Sequence, residues 1–359
     1  MKIRTTSFFD KISKALKAEL PFVAYRHPQT DAIKGFFQKD TALHFSIAYS
    51  ESGFVFAPFD NAEATVLFPL SASDVYSTML SEIDFEDAMK QTVLQLRSTN
   101  AKVNHVSLVQ KGIDFLKTTG AKKVVLSRKE LIEYSDFDLI TTFKKLLTNY
   151  TNAMVYVWFH PKVGLWMGAT PETLLKIKDG VFQTMALAGT QAYHGNLDVI
   201  WEAKERQEQQ FVTDYIIEKL DNNLTISKPR TIRAGSLVHL CTLVTGNLSQ
   251  EYTLRKLVKS LHPTPAVCGL PMQEAKAFIL KNEGYEREFY TGFLGELNLN
   301  ERSNLFVNLR CMQVLPERLA IYIGGGITLD SIPQKEWEET VAKSDVMLNI
   351  LGDCQTQVH

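Results

Sequence analysis

Short strand-like runs alternate irregularly with helical segments along this chain, and this alternation is what most restricts its fold. Between residues 153 and 188, apolar runs such as NAMVYVWFHP and GLWMGATP are separated by turn residues. Similar runs return near the end of the chain, as in RLAIYIGGGI. Parallel strands need a long crossover between each pair, and the helical segments lack the regular spacing that such crossovers require. The pattern therefore predicts an α+β fold with large antiparallel sheets.

Local patterns also predict individual elements. Apolar periodicity predicts helices over 8–20, 85–120, 137–148, 199–221, 252–261, 273–282 and 333–351. The run NLFVNLRCMQVL predicts one alternating strand that includes Arg310. The glycines of LAGT (187–190) and IGGGIT (323–328) predict two turns whose backbone N–H groups could grip an anion. No Pro/Ser-rich linker, repeat or low-complexity stretch divides the chain.

Composition excludes several classes of protein. The 45% hydrophobic and 22% charged residues lie near the globular average, and the formal net charge of -1 provides no basic surface for nucleic acid. The four cysteines form no CxxC pair, which argues against zinc or dithiol chemistry. No apolar run reaches the roughly 18 residues that a transmembrane helix needs. These features predict a cytoplasmic protein with reduced thiols and with no membrane or nucleic-acid partner.

The predicted helix at 333–351 carries ionisable residues along its apolar face. Glu336, Glu339 and Lys343 are spaced i, i+3 and i+7, and the same stripe becomes apolar at Met347. A solvated Glu–Lys pair, worth roughly a few tenths of a kcal/mol, usually lies opposite the apolar stripe. Here the charges extend the stripe, so these side chains are predicted to face the interior.

The predicted helix at 199–221 repeats this arrangement. Glu205 and Glu208 are one turn apart, and Glu208 leads into Val212, Tyr215 and Ile216 on the apolar face. Carboxylates that enter an apolar face need a compensating cation. A site with few oxygen ligands from the protein suits Mg2+, which keeps waters and takes further ligands from its substrate. A buried network of Glu–Lys pairs is the alternative, and periodicity alone does not decide between the two.

Nine segments occur in an order that resembles a known family. They are KVVLSR (123–128), GATPETLL (168–175), LAGT (187–190), EQQFVTD (208–214), HPTPAVCGLP (262–271), REFYTGFLG (287–295), NLRC (308–311), GGGI (324–327) and EWEETVAK (336–343). The series resembles the chorismate-utilising enzymes, which include isochorismate synthases, salicylate synthases, the large component of anthranilate synthase and aminodeoxychorismate synthase. The resemblance implies one domain over residues 1–359, with two large antiparallel sheets flanked by helices. Its catalytic core would be residues 85–352, and residues 1–80 would be a variable part.

The resemblance also implies a metal site and a site for the ring carboxylate of chorismate. Mg2+ would be held by Glu208 and Glu339, with Glu336 coordinating directly or through water. The ring carboxylate would be bound by the metal, by Lys343 and by the backbone of Gly189 and Thr190. EQQFVTD departs from many relatives, which carry His after the metal-binding Glu, but the Gln at that position keeps a polar side chain.

Other residues would bind the rest of the substrate. By the same resemblance, Arg310 and Tyr290 would bind the enolpyruvyl carboxylate, helped by the turn of Gly324, Gly325 and Gly326. His262 would line the pocket for the ring. The local sequence alone predicts that Arg310 is a surface residue in an ion pair and that His262 forms a hydrogen bond within a loop. The two substrate-binding roles therefore depend on the family pattern.

Two positions select the branch of the family. Lys123 stands where ammonia-using members carry Gln, and it matches the general base that activates water in the isochorismate and salicylate branches. Ala188 stands where aminodeoxychorismate enzymes carry a nucleophilic Lys, and a methyl group cannot attack the ring. The resemblance therefore implies that Lys123 deprotonates water attacking C2 while Glu172 protonates the departing 4-hydroxyl group. The expected reaction is the Mg2+-dependent isomerisation of chorismate to isochorismate.

Three alternatives remain open at this stage. A salicylate synthase would share Lys123, Glu172 and the metal ligands, and would then eliminate pyruvate in the same site. A non-catalytic protein with this fold would have no reason to keep these residues. Isochorismate could supply menaquinone, which is preferred here, or a catecholate siderophore. The chain is expected to act as a monomer without a glutamine amidotransferase partner.

Overall fold

Two β-sheets stacked face to face form the frame of the molecule, which we describe from a computed structural model. The structure describes residues 1–83, 92–97, 99–134, 136–220, 223–234, 237–249, 252–351 and 353–358. In this part of the chain the helices are α1 (Thr5–Lys17), α2 (Thr99–Thr119), α3 (Leu139–Asn149), α4 (Ala203–Leu220), α5 (Leu254–Leu261), α6 (Met272–Asn282) and α7 (Pro333–Leu351).

The strands of the described residues are numbered in chain order. They are β1 (Phe22–Arg26), β2 (Ala32–Gln38), β3 (His44–Ser46), β4 (Gly53–Ala57), β5 (Thr65–Pro69), β6 (Ser73–Met79), β7 (Thr92–Arg97), β8 (Lys123–Tyr134), β9 (Met154–His160), β10 (Gly164–Thr170), β11 (Thr173–Lys178), β12 (Val181–Ala192), β13 (Thr225–Ile226), β14 (Arg230–Ala234), β15 (Leu237–Asn247), β16 (Gly269–Leu270), β17 (Phe293–Leu299), β18 (Arg302–Val307), β19 (Cys311–Leu315), β20 (Arg318–Ile327) and β21 (Asp353–Val358).

The first sheet has the strand order β21–β7–β8–β20–β19–β10–β9–β1–β2–β6, with β16 paired to β8. The second has the order β13–β15–β12–β11–β18–β17–β4–β5–β3, with β14 paired to β15. Within the described residues the pairs are antiparallel apart from β21 with β7. The predicted α+β fold with two large antiparallel sheets flanked by helices is confirmed. Strands from residues 1–80 belong to both sheets, since β1 lies between β9 and β2 while β4 pairs with β17.

Three apolar layers hold these sheets and helices together. Side chains from both sheets, Trp158 and Phe56 among them, fill the space between the sheets. Helices α1, α3 and α7 cover the outer face of the first sheet, where Phe143 and Met347 are buried. Helices α4 and α5 cover the outer face of the second sheet, where Val212 is buried. Burial of the apolar stripes on α4 and α7 fixes which way their glutamates point. No helix in the described ranges is long and apolar enough to span a membrane.

One predicted helix begins later than expected. Residues 92–97 of the predicted 85–120 helix form β7, while residues 99–119 form α2 as predicted. The sequence TVLQLR is compatible with either period, and backbone pairing with β8 and β21 decides for a strand. The parts of this prediction at 85–91 and at residue 98 lie outside the described residues. Strands β2, β6, β13, β16 and β21 were not predicted, and α1 lies three residues earlier than its predicted range.

Three predictions about the backbone near the glycines and Arg310 are wrong. The predicted strand NLFVNLRCMQVL is broken into β18 and β19, and Arg310 lies in the break with a φ of 48°. LAGT and most of IGGGIT lie within β12 and β20 rather than in turns. Gly189 has a φ of 75° at an irregularity between Ala188 and Gln191, where β12 loses register with β15. Pairing with neighbouring strands extends these segments beyond what the local sequence favours.

Candidate active site

A main cavity of about 160 Å³ lies where β12 and β15 of the second sheet approach β8 and β20 of the first, with α4 and α7 at its side. Its lining includes most of the residues that the sequence assigned to a site: Lys123, Glu172, Gly189, Thr190, Glu208, Tyr290, Arg310, Gly324, Gly325, Gly326, Glu339 and Lys343. The fold therefore brings together side chains that are up to 220 positions apart, from Lys123 to Lys343.

Two helices bring a group of glutamates to one side of this cavity. Helix α4 lies against β12 and carries Glu205 and Glu208, while α7 lies against β20 and carries Glu336 and Glu339. Glu336 is 2% exposed, and it lies behind the lining rather than on it. Glu336 is buried and Glu339 and Lys343 line the cavity, so these charges lie on the inner side of α7 as predicted.

Lysines neutralise most of this negative charge. Lys204 Nζ lies 2.7 Å from Glu336 Oε1 and 3.9 Å from Glu208 Oε1. Lys343 Nζ lies 2.7 Å from Glu339 Oε1, and Lys123 Nζ lies 3.4 Å from Glu208 Oε2. Although burial opposes it, the Lys343 ammonium holds the pKa of Glu339 below its usual range. A Glu–Lys network, one of the two alternatives left by the sequence, is thus present.

Two carboxylate oxygens in this cluster remain without a donor. Glu205 Oε2 and Glu336 Oε2 are buried and accept no hydrogen bond from the described residues. Burial raises the pKa of Glu336, although Lys204 lowers it in part. Among the described residues, no three acidic, histidine or cysteine side chains converge in a geometry that would hold a metal ion as they stand. The unsatisfied oxygens nevertheless fit a bound divalent cation, because buried carboxylates need a positive partner.

Two further ionisable residues line the cavity, a lysine and a glutamate. Lys123 is the first residue of β8, and its side chain is 2% exposed. Glu172 is 4% exposed in the short link between β10 and β11, where its carbonyl accepts a hydrogen bond from Val307 N at 2.9 Å. Burial raises the pKa of Glu172 to about 8, despite the opposing charges of Lys123 and Arg310. Glu172 therefore keeps its proton at neutral pH and can act as an acid.

The raised pKa of Glu172 predicts a pH-dependent cost to stability. Between its unfolded pKa of about 4.3 and its folded pKa of about 8, the folded chain holds a proton that the unfolded chain releases. The free energy of unfolding should therefore fall as pH rises through this window. In Glu172→Gln this loss disappears, so the melting temperature of the variant relative to the parent should increase from pH 5 to pH 9. Over this pH range, the free energy of unfolding of the variant relative to the parent should increase by a few kcal/mol, on the order of what the pKa shift implies. A difference in melting temperature that stays constant with pH would show that Glu172 has an ordinary pKa.

Arg310 is held by a histidine that the sequence did not single out. His239 on β15 accepts a hydrogen bond from Arg310 Nη2 at its Nε2, at 2.7 Å. Its Nδ1 lies 2.9 Å from the carbonyl oxygen of Gly189, which requires the proton to be on Nδ1. Burial, with the charge of Arg310, lowers the pKa of His239 to about 3, so the ring is neutral. In the sequence SLVHL no local pattern marks this residue, because the positions from Leu237 to Leu240 are all buried.

Tyr290 and the glycines of β20 form a further wall. The Tyr290 ring stacks on Tyr322 with a centroid distance of 5.4 Å. Lys343 Nζ donates a hydrogen bond to the Gly324 carbonyl at 3.0 Å. A Cβ at Gly324 would lie 2.8 Å from Tyr290 Oη, so the missing side chain permits this close packing. Lys204 and Glu205 also line the cavity; the sequence marked Glu205 on the helix face but gave no signal for Lys204.

Two neighbouring glycines of β20 should respond differently to an added methyl group. A Cβ at Gly326 would lie 2.7 Å from Lys123 Cε and 3.0 Å from Glu208 Oε2, whereas one at Gly325 would approach no described atom closer than 3.6 Å. Gly326→Ala should therefore displace Lys123 and lower kcat by about 10²-fold, the scale expected for an ångström of misplacement. Gly325→Ala should keep kcat and raise KM by occupying cavity space. Steady-state kinetics test this pair, and a parent-like kcat for Gly326→Ala would contradict it.

The side chain of His262, which the resemblance places in the ring pocket, is not part of the described lining of the main cavity. Instead it is buried near β4, where its Nε2 lies 2.9 Å from the Pro58 carbonyl oxygen. Burial lowers the pKa of His262 to about 4, which makes the ring a neutral hydrogen-bond donor. The structure thus holds the His262 ring against a loop carbonyl outside the described lining, and its role in the ring pocket stays a prediction.

Gln209 connects helix α4 to strand β15. Its Nε2 donates hydrogen bonds to Thr213 Oγ1 at 2.8 Å and to Thr242 Oγ1 at 2.7 Å. It is 2% exposed, so these bonds satisfy a buried amide and tie α4 to β15. The departure from the His found in many relatives thus leaves the adjacent Glu208 well supported.

The chain is similar to known chorismate enzymes in sequence and in fold. The family model described as chorismate binding enzyme matches residues 70–352. The isochorismate synthase EntC of Escherichia coli (strain K12) is 27% identical over 314 residues, which are 82% of this chain and 80% of that protein. The DhbC structure from Bacillus anthracis has a TM-score of 0.78 at 24% identity, covering 95% of this chain and 99% of that one. The menaquinone-specific isochorismate synthase MenF of Escherichia coli has a TM-score of 0.78 at 19% identity, with 92% and 88% covered. The last two likenesses show the fold alone.

Proposed function

The chain belongs to the family of chorismate-binding enzymes, and from this premise we propose that it converts chorismate to isochorismate. The observation that carries the proposal is the presence, on one cavity, of the buried Lys123 and of a buried Glu172 that keeps its proton at neutral pH. A base and an acid on one cavity allow water to be added at one end of a conjugated system while a hydroxyl group leaves from the other.

The proposed reaction balances with water alone. Lys123, as the neutral amine, accepts a proton from water as the water oxygen bonds to C2 of the ring. Both conjugated ring double bonds shift by one position towards C4, the bond from C4 to its hydroxyl group breaks, and Glu172 supplies the proton with which that group leaves as water. Both side chains then exchange protons with solvent to return to their starting forms. One water enters and one leaves, so substrate and product have the same composition.

The remaining cationic and polar groups suit a substrate with two carboxylates. Arg310, fixed by His239 on β15, can pair with the enolpyruvyl carboxylate together with the Tyr290 hydroxyl group. Lys343 and the backbone at Gly189 can hold the ring carboxylate. Two anchors at a fixed separation orient the ring between Lys123 and Glu172.

We propose further that Mg2+ is held between α4 and α7 by Glu208 and Glu339, with Glu336 as a direct or water-mediated ligand. The support is the pair of buried carboxylate oxygens, on Glu205 and Glu336, that accept no hydrogen bond from the described residues. When bound, the ion would position and polarise the ring carboxylate. Lys204 is 33% exposed, so it can release Glu336 and turn towards solvent.

The product mixture tests the proposed reaction. Purified protein with Mg2+ should convert chorismate to isochorismate and stop at a mixture of the two, because isomerisation of two similar diene alcohols has little driving force. The same mixture should be reached from isochorismate. Chromatography of both reactions at long times measures the endpoint.

Two further assays distinguish the proposed reaction from the salicylate-forming and ammonia-using reactions of related enzymes. Elimination of pyruvate would create an aromatic ring and drive the reaction to completion, so pyruvate is followed with lactate dehydrogenase and salicylate by its fluorescence. Stoichiometric pyruvate and salicylate would replace the proposal with salicylate synthase. Added ammonium should give no amino product, because Lys123 stands where ammonia-using relatives carry Gln. Absence of any conversion of chorismate would contradict the proposed function as a whole.

The pathway that uses the product is a separate proposal. Menaquinone and catecholate siderophores both consume isochorismate, and the same cavity would serve either. We propose menaquinone, as the sequence favoured. A strain that lacks this gene should lose menaquinone at all iron concentrations and recover it with added isochorismate. A growth defect confined to iron limitation would assign the enzyme to a siderophore instead.

A further inference from the structure

A second cavity, larger than the main one, lies on the other side of helix α7. It has a volume of about 750 Å³, and residues of α2, β8, α7 and the segment after α6 line it. This volume lies within the range of pockets that bind small organic molecules. Trp337 of α7 lines this second cavity, while Glu339 of the same helix lines the main cavity. The two cavities therefore both lie along α7, β8 and β20, and they have no lining residue in common.

An open stretch of β8 forms the floor of the second cavity. Its outer edge pairs with β16 at Lys123 and Val124 and with β7 from residue 132 to residue 134, and between these points it has no strand partner in the described part of the chain. At Ser127 the side chain of Glu283 replaces the missing strand, since its Oε1 accepts hydrogen bonds from Ser127 N at 2.7 Å and from Ser127 Oγ at 2.9 Å. The hydrogen bonds of Glu283 thus fix one side of the cavity at the unpaired edge of β8.

The lining carries an excess of positive charge. Its two acidic residues are already paired, Glu130 with Arg128 at 2.7 Å and Glu283 with the buried Arg287. Lys111 and Lys129 are exposed on the same lining and add positive charge that these acids do not offset. An anion entering the cavity would meet at least two lysines without displacing an internal ion pair.

Aromatic rings stand beside these cations. The Arg128 guanidinium lies 4.7 Å from the centroid of the Trp337 ring, and Lys129 Nζ lies 5.4 Å from that of Tyr285. Cations placed next to rings offer a planar acid both a charge partner and an apolar surface. Leu108 of α2 adds apolar surface on the opposite side.

A buried histidine on this lining has an unsatisfied ring nitrogen. His105 is 3% exposed, and its Nδ1 has no hydrogen-bond partner among the described residues. Its ring lies 5.9 Å from that of Trp337, at the inner end of the cavity. A buried polar atom without a partner costs stability unless a ligand or water satisfies it.

From these observations we propose that the second cavity is a binding site for a small planar organic acid, distinct from the site of the main reaction. The acid's carboxylate pairs with Lys111 and Lys129, its ring packs beside Trp337 and Tyr285, and a polar group of the ligand meets His105 Nδ1. The site goes beyond the proposed function and does not depend on it, because none of its residues lines the main cavity.

Calorimetric titration of the full chain with 2-naphthoate tests this proposal. The parent should bind this probe with a submillimolar Kd, and the uncharged amide of the same ring should bind at least about tenfold more weakly, the ratio that 1.4 kcal/mol produces. Four Lys→Gln changes then locate the probe. Lys111→Gln combined with Lys129→Gln should weaken binding by about tenfold, since each partly solvated ion pair contributes up to roughly 1 kcal/mol.

Two single variants serve as matched controls. Lys117→Gln removes an exposed lysine of the same helix that does not line the cavity, and it should leave Kd unchanged. Lys343→Gln removes a lysine of the main cavity, and it should also leave Kd unchanged. Binding that is lost in Lys343→Gln and kept in the double variant would place the probe in the main cavity and overturn the proposal. Absence of binding to the folded parent at millimolar probe would overturn it as well.

Discussion

Glu339→Gln is expected to lower turnover of chorismate by at least about 10²-fold, because charge stabilisation by a catalytic metal contributes several kcal/mol. Glu339 faces the main cavity from α7 and is ion-paired with Lys343 in the structure. The amide keeps the size of the side chain and can still accept a hydrogen bond from Lys343, so the fold should persist. The loss would come from the missing negative charge towards Mg2+. Turnover as a function of Mg2+ concentration, and calorimetric titration with Mg2+ alone, measure the two effects separately.

The same helix provides a matched control for this experiment. Glu338 is exposed one position earlier, and its Oε1 accepts a hydrogen bond from Gln334 at 2.9 Å. Glu338→Gln removes the same charge from the same helix and should change neither turnover nor Mg2+ binding. Full activity of the parent after treatment with EDTA would remove the metal from the proposal. Equal losses in the two variants would attribute the effect to the net charge of α7.

Lys123→Gln should also lose at least about 10²-fold in kcat, the lower scale for a positioned general base. An amide cannot accept the proton of the attacking water, although it fills nearly the same space at the start of β8. Lys122→Gln is the matched control, because Lys122 is the exposed neighbour and does not line the main cavity. Single-turnover measurement of isochorismate formation separates the chemical step from binding. A Lys123→Gln enzyme with near-parent kcat would exclude Lys123 as the base.

Glu172 should impose an upper pH limit on the same reaction. Because the pKa of Glu172 is raised to about 8 by burial, the acid loses its proton above that pH, and kcat/KM of the parent should then fall. Glu172→Gln should lose as much activity as Lys123→Gln and should not show the fall. A parent profile that continues to rise beyond pH 9 would assign the acid to another group.

The residues that periodicity could identify are those whose direction is fixed by their own helix. Glu336 and Glu339 were placed on the inner face of α7, and Glu205 and Glu208 on that of α4, because a helix that buries an apolar stripe carries along the charges on that stripe. The resemblance to the chorismate-utilising enzymes is confirmed, and it supplied Glu172 and Tyr290, which no local pattern marks. Neither the periodicity nor the resemblance identified Lys204 or His239 as residues of the site.

The sequence by itself therefore determined the class of fold, the family and the faces of the helices, since these follow from spacing along a single segment. Only the tertiary structure decided which distant groups meet. Lys204 reaches Glu336, 132 positions away, because the first turns of α4 and α7 approach each other. His239 of β15 reaches Arg310, 71 positions away, in the break between β18 and β19. The left-handed backbone at Arg310 and the extended glycines of β20 likewise depend on neighbouring strands. Such contacts arise when remote surfaces are buried against each other, and no local period in the sequence records them.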